Sequence, residues 1–401
     1  MMHRALQITI GFTAWAAAAH AQALAAANGE RGSAPEAIAQ ANGRPRSSEP
    51  WEIVGPFFQP PPRYAGEFGT YRSPLLFDDG SRVQSAAEWP RRRQEILDRW
   101  HEIMGPWPRL LDSPKLEILS QTRQEDYMQR RVRLEIGPGQ TGEGWLLTPH
   151  GPGPFPAVLV VYYEPETSVG QSEKQGRDFG SRLARKGFVT LNIGTPGGNA
   201  FKPAIGQARC QPLSYHAYVA ANAWQALARL PEVDARRIGV TGHSYGGKWA
   251  LFAAALWDKF AAVAVSDPGI VFDETRPNIN YWEPWYLGLD PDQPRPKRGL
   301  PAPDNPRTGP YRQMIEKGMD LHELHALIAP RPFLVSGGAE DPPSRWIALN
   351  HLAAVNRLLG CTNRVALTSR ETHALTEESC SQLVAFLEHF LGASQRPPTA
   401  P

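Results

Sequence analysis

Residues 237–256 read RIGVTGHSYGGKWALFAAAL, and the fold is decided there. Arg237–Thr241 has the make-up of a short buried strand, and the apolar run Lys248–Leu256 that of a buried helix. Between them stands Gly242-His243-Ser244-Tyr245-Gly246, a Gly-x-Ser-x-Gly match followed by Gly247. A serine on the sharp turn between strand and helix is the arrangement called a nucleophile elbow. The turn strains the serine, and its neighbours must be small for strand and helix to pass, a need that Gly242 and Gly246 meet. Its hydroxyl then stands at a helix N-terminus, whose dipole favours developing negative charge. Ser244 is the candidate nucleophile.

A hydroxyl attacks only when a base takes its proton, so a histidine is required. His373, in Arg370-Glu371-Thr372-His373, follows the expected strand Arg364–Thr368 and precedes a closing helix Glu377–Leu391. His243 lies inside the elbow and reads as a packing residue pointing away. His322, His325, His351 and His389 fall on expected helices. The base in turn needs a carboxylate to fix its tautomer. Asp341 follows the strand-like run PFLVSGG and is the favoured acid, with Asp267, after AAVAVSD, as the alternative. The oxyanion is expected to meet the backbone N–H of Tyr245 and a donor from the loop after Pro156–Tyr163, with Tyr163 as the candidate.

Outward from the elbow, strands and helices alternate. Pro156–Tyr163 is continuously apolar, as in a strand covered on both faces. Helices are expected at 178–186, 214–230 and 344–359, and strands at 188–193, 261–265 and 332–337. Ahead of them Arg131–Ile136 and Gly144–Thr148 flank a Gly-Pro-Gly turn, and residues 86–104 carry helical periodicity. This order predicts a mostly parallel central sheet with helices on both faces. Residues 271–319 break the rhythm with many Pro, Trp and Tyr residues. An insertion of that length is expected to be functional. Trp282, Trp285 and Tyr286, with Tyr281, are its candidate substrate-binding residues, since flat rings suit sugar or aryl groups.

The N-terminus reads as an export signal: Arg4, an apolar stretch, then Ala19-His20-Ala21 before cleavage near Ala21. Residues 22–50 read as a flexible linker and 51–130 as an extension packing on the core. Residues 131–395 read as the catalytic domain, with 271–319 as its lid. The apolar leader is too short to span a membrane, so a periplasmic or secreted protein is expected. With 42 basic and 40 acidic residues in 401, the net charge of +2 gives no reason to expect a nucleic-acid partner. The three cysteines, Cys210, Cys361 and Cys380, lack metal-ligand spacing, and Cys361 with Cys380 is the preferred disulfide in an oxidising compartment.

The run Asp320-Leu321-His322-Glu323-Leu324, followed by Ala326-Leu327-Ile328-Ala329-Pro330-Arg331-Pro332, resembles the glucuronoyl esterases and related carbohydrate esterases. The resemblance covers roughly residues 90–391 and includes the helix ending in Met104-Gly105-Pro106. It implies the α/β-hydrolase fold and ester chemistry, and it implies an acid soon after the nucleophile, where Asp267 stands. The elbow of glucuronoyl esterases usually reads Gly-Cys-Ser-Arg-x-Gly, whereas here His243 and Tyr245 flank the serine. The elbow itself is similar to those of acetyl xylan esterases, dienelactone hydrolases and prolyl-oligopeptidase-type enzymes. The expectation is a serine esterase acting on a small-molecule or polysaccharide ester of a carbohydrate or aryl alcohol. No metal or organic cofactor is expected. Two other readings stand beside it: a peptidase with the same triad, although the region before Arg131 is short for a propeller, and a non-catalytic binding protein on the same scaffold.

Overall fold

The computed structural model describes residues 49–174 and 176–392. The expected signal peptide, and the linker except for its last two residues, lie outside the described residues.

One nine-stranded sheet organises the chain, in the order β1-β2-β3-β5-β4-β6-β7-β8-β9. The strands are β1 Leu116–Arg123, β2 Tyr127–Gly137, β3 Gln140–Pro149, β4 Phe155–Val161, β5 Val189–Ile193, β6 Val233–His243, β7 Ala262–Ser266, β8 Phe333–Gly337 and β9 Val365–Ser369. From β5 to β9 every neighbouring pair is parallel, and β1, β2 and β3 continue the sheet antiparallel. β1 falls inside the stretch read as an extension. Its residues are half-exposed or exposed, so this polar edge strand (LEILSQTR) has no buried face to imprint an alternation on the sequence.

The parallel strands are apolar throughout because helices cover both faces. Along β4, Ala157, Leu159 and Val161 enter one core cluster while Val158 and Val160 enter another, the period-two alternation of a strand. The first cluster takes in the helices Trp89–Met104, Pro212–Ala228, Tyr245–Leu256 and His322–Ile328. The second takes in Phe179–Arg185 and Glu377–Leu391.

The motif that carried the resemblance is part of this frame. Arg331 is buried, and its guanidinium donates to the carbonyls of Ala254, Trp257, Phe260, Leu327 and Ile328. One side chain therefore closes the ends of two helices, Tyr245–Leu256 and His322–Ile328, whose last carbonyls have no intrahelical donor. Glu323 accepts from Arg99 Nη2 at 2.6 Å and Trp100 Nε1 at 3.0 Å, tying the helix Trp89–Met104 to the core. The expected disulfide is not formed: Cys210, Cys361 and Cys380 are buried free thiols. Cys380 points to the carbonyl of Gly176 and Cys361 to that of Leu359.

Candidate active site

Parallel strands direct their C-terminal ends to one edge of the sheet, and the chemistry-bearing loops gather there. β6 runs into the elbow, where Ser244 has φ 56° and ψ −112°, a conformation that L side chains rarely adopt. Its neighbours show why it is tolerated. A Cβ on Gly242 would lie 2.4 Å from the Gly246 backbone, and one on Gly246 would lie 2.0 Å from the Val161 carbonyl. Only glycine fits at either place.

His373 reaches the serine from the loop after β9. Its Nε2 lies 2.8 Å from Ser244 Oγ and its Nδ1 2.7 Å from Asp267 Oδ2. The carboxylate beside His373 is therefore Asp267 and not the favoured Asp341. Asp267 follows β7 and is fully buried, and its Oδ1 accepts from the amides of Gly338, Glu340 and Asp341 at 2.7, 3.1 and 2.9 Å. Asp341 points the other way and accepts from the amides of Gly269 and Ile270 at 2.8 and 2.6 Å. Both aspartates satisfy the chain order Ser, Asp, His. Loop conformation selects between them, and strand assignment does not reveal it. Burial, and then the charge of Asp267, push Asp341 up to about 6.

Arg370 fixes the histidine loop by donating to the carbonyls of Ser336, Gly337, His373 and Ala374. His243, read as pointing away, instead lays its ring against His373 with centroids 4.8 Å apart. Its burial pushes its pKa well below the usual range, so it stays neutral beside the base.

The Tyr245 amide opens the helix Tyr245–Leu256, among the first N–H groups that lack an intrahelical acceptor. The Tyr245 side chain is buried, with its hydroxyl 2.6 Å from His216 Nε2 and 3.1 Å from Thr195 Oγ1. Tyr163 stacks on it, ring centroids 4.5 Å apart. Burial raises the Tyr163 pKa, while Arg177 and the Ser244 side chain act to lower it. The helix-start amide next to Ser244 and the Tyr163 side chain stacked on Tyr245 are the groups at the elbow able to stabilise a developing oxyanion.

Residues 183–303 match the prolyl oligopeptidase family. A carbohydrate esterase, MZ0003, from an unknown prokaryotic organism is 29% identical over 143 residues, or 32% of this chain and 29% of that protein. The chain thus matches less than a third of that relative's length. Among solved structures, a glucuronoyl esterase from Solibacter usitatus aligns at TM-score 0.61 and 20% identity over 81% of this chain and 98% of its own. A promiscuous esterase of carbohydrate esterase family 15, from a marine bacterial metagenome, aligns at TM-score 0.61 and 18% identity over 80% and 97%. A family 15 glucuronoyl esterase from Caldicellulosiruptor kristjansonii aligns at TM-score 0.57 and 20% identity over 83% and 96%. The chain has the α/β-hydrolase fold.

Within this α/β-hydrolase frame the expected aromatic wall divides. Trp282 is fully buried, donates its indole N–H to the Gly299 carbonyl at 2.7 Å and packs on Tyr311. It is core, because its N–H finds an internal partner under the insertion. Tyr286 lies between Tyr245 and Tyr281, with centroids 5.8 and 6.1 Å away. Trp285 meets the exposed Phe201 edge-on at 5.1 Å, and Arg298 lies over both rings. The sequence reading missed Phe201, which sits in an irregular loop after β5.

It also missed Lys248, although a lysine in an otherwise apolar helix was a visible signal. Lys248 is buried one turn after Ser244, donates to the Asn278 carbonyl at 2.9 Å and lies over Tyr281 and Tyr286. Burial pulls its pKa down to about 8 against the opposing pull of Asp341, Glu340 and Asp267. Among the described residues, no group of three His, Cys, Asp or Glu side chains could hold a metal ion.

Proposed function

We propose that the chain is an exported serine esterase that cleaves a carboxylic ester of a carbohydrate through Ser244, His373 and Asp267. The observation that carries this reading is the unbroken hydrogen-bonded line from Asp267 through His373 to Ser244, at 2.7 and 2.8 Å. His373 Nε2 takes the Ser244 proton as Oγ attacks the ester carbonyl, and Asp267 stabilises the imidazolium that forms. The Tyr245 amide and the Tyr163 hydroxyl donate to the oxyanion. The tetrahedral intermediate collapses, the C–O bond to the alcohol breaks, and the alcohol leaves with the proton from His373. Water, deprotonated by His373, then attacks the acyl-enzyme, and the acid departs as Ser244 recovers its proton.

A carbohydrate substrate is supported by the partial match to a carbohydrate esterase and by Trp285, whose ring meets the exposed Phe201 beneath Arg298. The export reading rests on the leader Met1–Ala21, with cleavage after it and a linker before the hydrolase domain. Among the described residues no helix is long and apolar enough to cross a membrane. The hydrolase domain, read from the sequence as 131–395, is extended here to include β1 from Leu116.

The test is hydrolysis of p-nitrophenyl acetate, acetylated xylan, a benzyl glucuronate ester, a feruloyl ester and a prolyl p-nitroanilide by purified protein and by Ser244→Ala. Turnover of at least one ester is expected, falling by about 10⁴-fold or more in the variant. Preference for the anilide would favour the peptidase reading. No ester turnover by folded protein would sink the proposal.

A further inference from the structure

A cavity of about 380 Å³ opens where β9 begins, at the opposite end of that strand from the His373 loop. Phe58 and Phe68 from the N-terminal segment, Trp346 and Asn356 from the helix Trp346–Leu358, and Arg357 and Arg364 line it. Its lining holds two arginines and no Asp or Glu.

Arg364 is the unusual member. It is only 9% exposed, yet among the described residues its guanidinium meets neither a hydrogen-bond acceptor nor a carboxylate, and its Nε is buried without a partner. Its guanidinium lies over the ring of Phe390 at 5.6 Å. The other arginines this deeply buried each have at least one acceptor, although Arg92 Nη2 and Arg295 Nε also lack a partner. Arg92 and Arg237 pair with carboxylates, and Arg295 and Arg331 donate to carbonyls. A buried charge is costly unless paired, so a lone guanidinium facing a cavity is a site awaiting an anion.

We propose that this cavity binds a small, ring-bearing carboxylate, with the carboxylate on Arg364 and the ring between the aromatic walls. Guanidinium and carboxylate match as a two-pronged, charge-assisted pair. The volume lies at the lower end of the roughly 300–1,000 Å³ usual for small-molecule sites, which suits a single ring. Two sources share this chemistry, a sugar acid and a phenolic acid. The site is independent of the esterase reading.

Calorimetric titration of purified protein with D-glucuronate and with 4-hydroxybenzoate tests it, using glucose and 4-hydroxybenzamide as neutral counterparts. Saturable binding of at least one acid and of neither neutral compound is expected, and the acid that binds names the source. Arg364→Gln should weaken binding about tenfold or more, the loss of one charge-assisted pair. Ala65→Trp, on the exposed rim of the cavity, should block it without touching the arginine. Ester turnover and circular dichroism should stay unchanged in both variants. Unaltered affinity in either folded variant, equal binding of the neutral compounds, or no saturable heat up to about 10 mM would overturn the proposal.

Discussion

The loops after β7 and β8 each carry a buried aspartate, and each aspartate is tied to the backbone of the other's loop. Asp267 accepts from the amides of Gly338, Glu340 and Asp341, and Asp341 from those of Gly269 and Ile270. The clasp is reciprocal, but its two halves differ in one respect. Asp267 spends its three amide bonds on Oδ1 and keeps Oδ2 for His373, whereas Asp341 uses both oxygens on amides. A carboxylate can serve as the orienter of a base only if one oxygen remains for it. Asp341 is thus the brace that shapes the loop carrying the orienter.

Removing the charge on each side breaks this comparison most directly. Asp267→Asn should lower kcat/KM for the best ester by about 10⁴-fold, because an amide that donates to Nδ1 leaves the wrong tautomer facing Ser244. The fold should survive. If Asp267→Asn retains turnover within tenfold of wild type while Asp341→Asn loses it, the assignment of the two aspartates is reversed.

Gly338 sharpens the comparison from the backbone side. A Cβ there would lie 2.5 Å from the Thr372 carbonyl and 2.6 Å from Asp267 Oδ2. Gly338→Ala must displace the oxygen that bonds His373, the residue next to Thr372, or both. A displacement near 1 Å is enough for a loss of about 10²-fold in kcat, with KM changing little. Steady-state kinetics reads this, and unchanged kcat in the folded variant would mean that the loop adjusts freely.

The same pair shows how far the sequence could be read. The elbow, its glycines and His373 were legible because each is a local demand: a strained turn, a helix start, a loop after a named strand. The choice between Asp267 and Asp341 was not, because both follow parallel strands adjacent in the sheet, and the deciding fact is which oxygen the loop amides occupy. The resemblance that implied Asp267 added what spacing could not. β1 escaped notice because an exposed edge strand shows no alternation, and Trp282 was read as a pocket wall because an aromatic residue in an irregular insertion looks the same whether it faces a ligand or the core. Lys248 was visible as a charge in an apolar helix, but its meaning depends on Asn278, Tyr281 and Tyr286, contributed by the distant insertion.

Asp341→Asn gives the smallest effect on turnover and the clearest on stability. His373 keeps Asp267, so kcat should fall no more than about tenfold, the cost of a slightly altered loop. The pH dependence has a definite sign. Burial and the charge of Asp267 raise the Asp341 pKa from 3.8 to about 6 in the folded protein. Between those values the folded state binds more protons than the unfolded state, so this carboxyl's contribution to stability falls as pH rises, and the cost is complete above the folded value. Asparagine lacks that titration. The stability of wild type relative to Asp341→Asn, from urea unfolding, should therefore decrease between pH 4 and 6 and level off above it. The two lost or weakened amide bonds offset this by a constant amount at all pH values, so the slope is the signature. A flat difference across that range would mean that Asp341 titrates alike in the folded and unfolded protein, so that neither burial nor the charge of Asp267 perturbs it.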